Sequence, residues 1–486
     1  MRAPFVIFGA SCRRVDMIER AWYGRALSIG GGLAALLPAL WMWGFTVDDA
    51  LIPIRYAMHL AGGAGYRFNV GGPSTDGVTP LPWAFFLALL SWGATSISLL
   101  VRVKLVSVAA WMLTGARLGA QLARLSDGAT RTRVIAVLAL GLLALVYPVG
   151  AWAASGLETG LATVFVTLAA VYFEKPYRCA LVAGIAATLR PELVVWSSVM
   201  ALGSALAAEP RRESLAKAAC STALAAGPFA LIVALRLMCF GRPGPLALLA
   251  KPSDAAHGLA YAGAAALAIL FPLAACSPMA LGRSSPHAKT LVAAFAAHVL
   301  VVVAVGGDWM PYARLLVPVA PSLALVYVEV SRHERVRWTA LRTLVALGFG
   351  TVWLAQASPA GRHVQDARTN LIVQAEPWFS DAKVVAALDI GWVGAATSAR
   401  IVDLAGLTDP EIAVLPGGHT SKRVDVAMLL DRGVDTVVLY RKARHVEQRL
   451  RAARLFEERF SLVTTLPLEG DGGHGYEIYR RRLAAP

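Results

Sequence analysis

The chain has 486 residues, of which 57% are hydrophobic and only 16% charged, and its mean hydropathy is +0.58. That composition excludes an ordinary soluble domain and leaves a membrane protein. A net charge of +15 would suit a nucleic-acid partner. The basic residues instead fall in short clusters between apolar runs (RRVDMIER, RLSDGATRTR, EPRRES, SRHERVR), which is the positive-inside pattern and excludes nucleic acid as the reason for the charge.

The first apolar run, ALSIGGGLAALLPALWMWGF, follows a basic segment, is long enough to span, and lacks a small-residue cleavage site, so it reads as a retained signal anchor. Further apolar candidates lie at 81–98, 104–122, 134–150, 158–173, 179–207, 216–239, 259–280, 289–305, 312–330 and 339–357. From residue 358 the pattern changes to apolar stretches and turns, KVVAALDIGWVGAAT and VDTVVLY, interleaved with charged helical sequence such as HVEQRLRAARLFEERF. The expected architecture is therefore an α-helical polytopic membrane domain over 1–357, with about 11 transmembrane helices, and a soluble α/β domain over 358–486. Cys12, Cys179, Cys220, Cys239 and Cys276 are scattered without metal-ligand spacing, and imply neither a disulfide framework nor a zinc site.

Charge asymmetry sets the orientation. A cytoplasmic N-terminus puts the loop 46–80 outside and requires EPRRES and SRHERVR to be inside. To keep RLSDGATRTR inside as well, the segment 81–98 must lie in the outer interface and 179–207 must break into two short helices at Arg190-Pro191-Glu192. This arrangement has eleven crossings and places the C-terminal domain outside, on the side of Glu158, Arg190, Asp308 and the pair Asp48-Asp49.

The loop 46–80 carries the densest polar sequence, FTVDDALIPIRYAMHLAGGAGYRF. Adjacent side chains diverge on a helix, so Asp48 and Asp49 point different ways. Arg55 is i+7 from Asp48, Tyr56 is i+7 from Asp49, and Arg55 shares a face with His59. These are either solvated interface residues or one polar face turned to a site. A charge deep in the apolar region costs roughly 2.5–3.5 kcal/mol, so such residues pair or face a cavity.

The segment VDDALIPIRYAMHLAGGAGYRFN followed by TDGVTPLPW resembles the first outer loop of polyprenyl-phosphate-dependent glycosyltransferases of the GT-C fold, in particular cell-wall arabinofuranosyltransferases. The similarity continues in order through ASGLETGL at Glu158, LRPE at Arg190, GGDWMPYARLLVP at Asp308 and ALDIGWVGAATSARIVDLAGLTDPEIA. Asp76 stands where the family has Glu, Val78 where it has Tyr, His59 where Asn is usual, and CFGRPGPLALLAK keeps little of the family segment beyond Lys251. These departures leave the sugar and the acceptor open.

The resemblance implies transfer of a sugar, arabinofuranose being one candidate, from a polyprenyl-phosphate donor to a cell-envelope glycan or glycolipid acceptor, with inversion. Such a reaction needs a carboxylate base, Asp48 or Asp49, and cations for the leaving phosphate, drawn from Arg190, Lys251, Arg55 and Arg314. Tyr56, His59, Asp76, Glu158, Glu192, Asp308 and Trp309 are the candidate substrate contacts. Several have plainer roles: Glu158 sits at a helix start, Trp309 suits an interfacial anchor, and Asp403, Asp409 and His419 suit turns and caps as well as an acceptor groove. No cofactor is expected, since a monophosphate lipid donor does not demand a metal. The chain is expected in the inner (plasma) membrane. The alternatives are a lipid or polysaccharide flippase, which predicts two matching interrupted helices where the sequence offers one, and a non-catalytic envelope-assembly protein.

Overall fold

The computed structural model describes residues 7–126, 129–208, 211–270, 278–442, 444–470, 472 and 474–482. Asp127 and Gly128 of RLSDGATRTR, Glu209 and Pro210 of EPRRES, and Cys276 lie outside them.

Helices dominate the first 357 residues, as they must where backbone groups have no water to bond. The helices used below are α1 (Ile7–Trp41), α2 (Leu51–Ala61), α3 (Leu81–Leu90), α4 (Ser96–Leu125), α5 (Thr130–Leu145), α6 (Tyr147–Ala153), α7 (Thr159–Val171), α8 (Pro176–Leu189), α9 (Val194–Ala208), α10 (Arg211–Phe240), α11 (Leu246–Ala250), α12 (Ala255–Ala265), α13 (Pro286–Ala304), α14 (Leu323–His333) and α15 (Val336–Gln356). Among the described residues five segments are long and apolar enough to cross a membrane: Ser96–Leu125, Pro191–Ala208, Leu215–Phe240, Pro286–Ala304 and Val336–Gln356. The pair α5 and α6, bent by 59°, makes a sixth if it is one span. Helix length thus gives five or six spans where the apolar pattern suggests eleven, because turns and prolines cut several apolar runs short: α7, α8 and Ala255–Ile269 have only 10–17 residues. The run 81–98 is one of these. Its helix α3 has ten residues, Gly93 takes a positive φ of 62°, and Thr95 starts α4 with a capping box to Ser98. The break at Arg190 is real, since α8 stops there and the chain restarts through a 3-10 turn at Pro191–Leu193.

Close packing of α1 on α4 depends on small residues. A Cβ on Gly31 would come within 2.2 Å of Gly115 O, and one on Gly119 within 2.0 Å of Leu27 O, so the two backbones touch where Gly115 and Gly119 repeat at i, i+4. Lys104, fully buried in α4, donates to Trp43 O (2.5 Å) and Phe45 O (3.0 Å) and to Gln365 Oε1, so its ammonium ties the end of α1 to the C-terminal part.

Three of the basic clusters meet at one end of the bundle. Arg131 donates to Ser331 O (2.8 Å) and Glu334 O (2.6 Å), and Arg133 pairs with Glu19. The loop carrying Asp48 and Asp49 is at the other end, where Thr46 bonds Ser155 O (2.8 Å).

The C-terminal part holds a five-stranded sheet of order β2-β1-β3-β5-β4, with β1 (Val384–Ala387), β2 (Arg400–Asp403), β3 (Thr436–Tyr440), β4 (Phe460–Pro467) and β5 (Gly475–Arg481). β1 pairs in parallel with β2 and β3, Val385 opposite Ile401 and Thr436, while β5 runs antiparallel to β3 and β4. Helix α16 (Val364–Ala375) precedes the sheet and α17 (Ile390–Ala396) follows β1.

If the α1–α4 contact carries the bundle, Gly31→Leu should destabilise it by about 1–3 kcal/mol or more, because neither backbone can retreat. Gly141→Leu, where a Cβ meets nothing within 4 Å, should be neutral. Thermal unfolding of the two variants in one detergent checks this; equal midpoints would show that the contact is dispensable.

Candidate active site

The first loop meets the C-terminal part through α17. Both oxygens of Asp48 accept backbone N–H groups at the start of that helix, Oδ2 from Gly391 (2.9 Å) and Oδ1 from Trp392 (2.9 Å), with Arg368 at 3.3 Å. At the other end of α17, Arg55 donates to Gly394 O (2.7 Å), Thr397 O (2.8 Å) and Ala399 O (2.8 Å), and its Nε bonds Phe68 O (2.9 Å). A carboxylate thus faces the positive end of the helix and a guanidinium the negative end. The α17 helix has seven residues, so it is roughly 10 Å long, which matches the i, i+7 separation of Asp48 and Arg55. Close approach requires Gly391, where a Cβ would lie 2.0 Å from Asp48 O.

The shared face of Asp48 and Arg55 therefore grips protein, with the Arg55 guanidinium bonded to four carbonyls. Burial pushes the Asp48 carboxyl up to about 6; Arg368 pulls it down, Asp389 adds to the rise, the Trp392 N–H opposes it and Asp49 adds again.

Asp49, one residue on, points elsewhere. It lies 3.9 Å from Lys251 Nζ, with the two side chains 32% and 28% exposed, and borders two cavities. One, of about 160 Å³, runs toward the C-terminal part between Asp308, Trp309, Asp389, His419 and Arg444. The other, of about 70 Å³, runs into the helical part past Leu157, Glu158 and Arg314. Asp49, Ile52, Lys251 and Leu407 belong to both.

The wall of the smaller cavity is an ion network. Glu158 Oε1 accepts from Arg190 (2.9 Å) and from Arg314 (2.9 Å), and Arg314 also lies 3.7 Å from Asp308. Arg190 is held a second time by Glu192, at 2.5 Å. Its Nε and Nη2 are held by Glu192 and its Nη1 by Glu158, which braces the helix break, and Arg190 borders neither cavity. Burial works against the Asp308 carboxylate, yet Arg314, Lys251 and Arg190 outweigh it and hold the group below its usual range.

Three more candidates are displaced from the cavities. Asp76 pairs with Arg236 at 2.8 Å, both side chains 2% exposed, and Arg236 also donates to Val78 O (3.1 Å) and Thr79 O (2.5 Å), so the pair fastens the loop to α10. Tyr56 is fully buried and donates to Thr75 O (3.0 Å). His59 bonds Arg67 O through Nδ1 (3.0 Å). Each partner is a protein group, and none of the three borders the cavities at Asp49.

The larger cavity has residues that sequence reasoning missed. Asp389 binds Arg444 through both oxygens (2.9 and 3.0 Å) and accepts from Tyr476 (2.6 Å). Arg444 and the Tyr476 hydroxyl, with Arg368 nearby, outweigh burial and keep Asp389 below its usual range. A groove of about 810 Å³ lies on the far side of this pair, between Arg368, Tyr440 and Tyr476. The signal for Asp389 was its place just after a strand and before the turn into GWVG; nothing local marks Arg444. Trp309, 68% exposed, stacks on His257 with ring centroids 4.3 Å apart. Burial, with Lys251 and Arg444 nearby, brings the His419 imidazole down to about 4, so it is neutral at pH 7. Asp403 caps its own turn, accepting from Ala405 N (2.9 Å) and Thr408 N (2.7 Å), and Asp409 caps Pro410–Ala413.

Residues 353–479 match the family model described as "Domain of unknown function (DUF8728)", from within α15 to β5. No curated protein and no solved structure matches the chain.

The clamp on α17 can be tested alone. Arg55→Ala strands four carbonyls, two of them in buried bonds, and should cost at least about 3 kcal/mol, seen as faster limited proteolysis across 358–482 and a lower unfolding temperature. Unchanged protection would mean that the contact does not hold the C-terminal part in place.

Proposed function

We propose that the chain is an integral-membrane glycosyltransferase that moves a sugar from a polyprenyl-phosphate donor to a cell-envelope glycan or glycolipid, with Asp49 as base. The observation that carries this reading is that Asp49 borders both cavities and is only loosely paired, while Asp48 borders the larger one alone and has both oxygens bonded at the start of α17. The resemblance in sequence supplies the reaction class, and arabinofuranose remains a candidate sugar on that ground.

In this reading the smaller cavity takes the donor phosphate and the larger one the acceptor. The acceptor hydroxyl gives its proton to Asp49 as its oxygen bonds the anomeric carbon. The bond from that carbon to the phosphate oxygen breaks on the opposite face, and the electron pair leaves with the phosphate. Lys251 and Arg314 face the developing charge, Lys251 as a point charge and Arg314 as a fork already oriented by Glu158. Trp309 offers an aromatic face to a sugar ring. The membrane arrangement that fits has eleven crossings, some made by short or broken helices, with the N-terminus cytoplasmic and the C-terminal domain outside.

Purified protein incubated with a defined polyprenyl-phosphate sugar and an acceptor should release polyprenyl phosphate. Asp49→Asn should lower turnover at least about a hundredfold with unchanged proteolytic protection of 358–482. Asp48→Asn should instead loosen that protection. Full turnover in Asp49→Asn would remove the mechanism. Lys251→Ala and Arg314→Lys should both weaken donor use, the latter because the fork is lost while the charge stays.

Orientation has its own test. Single cysteines at Ala129 and Arg335 in a cysteine-free background should both resist an impermeant thiol reagent in intact cells, because both flank basic clusters at one end of the bundle. Labelling of either from outside would overturn the arrangement.

A further inference from the structure

A cavity of about 570 Å³ lies at the basic end of the bundle, far from Asp49, between residues 20–28 of α1, the end of α4 and the start of α5. Arg20 and Arg25 from α1, Arg124 from α4 and Arg133 from α5 line it, with Tyr23 and Ser28 between them. No lining residue is acidic. Arg133 pairs with Glu19, which stands outside the lining, and its Nε is buried without a partner. Arg20, Arg25 and Arg124 have no ion-pair partner among the described residues.

Basic residues at this end are expected from charge asymmetry alone, and Arg20, Arg25 and Arg124 are themselves exposed. What differs here is convergence. Four arginines line one space, with Glu19 the single carboxylate among their partners in the described residues, so the space is favourable for an anion. The floor is open because Gly24 is there: a Cβ on it would meet nothing within 4 Å. The level is that of a membrane–water boundary. Trp22 on α1 is 70% exposed and Trp338 at the start of α15 is 55% exposed, as in an interfacial aromatic belt. A guanidinium fork matches phosphate oxygens, and basic pockets between membrane helices at this level suit lipid headgroups.

We propose that this cavity binds the phosphate headgroup of an anionic phospholipid. The lipid's tails lie along the apolar flanks of α1 and α5, and its phosphate sits among Arg25, Arg124 and Arg133. The site is independent of the reaction proposed above, and its occupancy fixes α1 against α4 and α5 at the end opposite the active site.

Full-length protein in neutral detergent, titrated with phosphatidylglycerol, phosphatidylethanolamine, glycerol phosphate or inorganic phosphate and read by native mass spectrometry, tests this. Phosphatidylglycerol should be retained at least about tenfold more strongly than phosphatidylethanolamine, and neither soluble phosphate should displace it. Arg25→Gln combined with Arg124→Gln should lower that retention about tenfold or more, and so should Gly24→Phe, which fills the floor without a clash. Arg335→Gln combined with Arg337→Gln removes the same charge elsewhere at that end and should leave retention unchanged. Should Gly24→Phe fail to fold, the arginine pair decides. Equal retention of the two lipids, or retention unchanged by the Arg25 and Arg124 variant, would overturn the site. Displacement by inorganic phosphate would make it a soluble-anion site and overturn the lipid assignment.

Discussion

A buried guanidinium must find acceptors, and Arg55 finds them on another part of the chain. Desolvating it without partners would cost several kcal/mol, so the carbonyls at the end of α17 are held wherever α2 puts the arginine. Asp48 fixes the opposite end of the same helix. Two contacts at the two ends of one short helix define both its position and its direction, and with them the position of the sheet that follows. The larger cavity at Asp49 opens beside this clamp, with Asp48 and Ile390 in its lining.

Once the clamp is made, the remaining charges sort themselves by how fully they are satisfied. Asp76 has Arg236, Glu158 has two arginines, and Arg190 has two carboxylates, all deeply buried and at hydrogen-bonding distance. Such groups are expensive to disturb, since removing one partner leaves an uncompensated charge worth about 3–5 kcal/mol. Asp49 and Lys251 differ on every count: they are 3.9 Å apart and each is about a third exposed. Their mutual attraction is correspondingly weak. A substrate can take either partner away from the other at small cost, which is what the proposed base and phosphate contact require.

Part of this was legible in the residues. Helical spacing put Asp48 and Arg55 on one face and turned Asp49 off it. Which face would meet protein and which a cavity was not legible, because the helix they clamp begins more than three hundred residues later. The break at Arg190-Pro191 followed from proline chemistry, but its arginine looked available only because Glu158 and Glu192 could not be placed. Asp76 misled for the same reason. Its partner Arg236 lies inside an apolar run, where a charge looks like an accident until the loop that covers it is seen. Hydropathy measures apolar length and is blind to where a turn cuts it, so the apolar runs outnumber the helices long enough to cross.

The sheet explains why the larger cavity ends where it does. Strand β1 has β2 on one side and β3 on the other, so the connections leaving the ends of β1 and β3 diverge and leave a crevice between them. Ligands of open α/β sheets bind in crevices of this kind, outside the carboxyl ends of the strands. Asp389 follows β1 and Arg444 follows β3, and they meet across that crevice. Their pair divides the cavity at Asp49 from the groove beside Tyr440 and Tyr476. The clamp on α17, which starts at the residue after Asp389, therefore does more than attach the sheet: it aims the open edge of the crevice at Asp49.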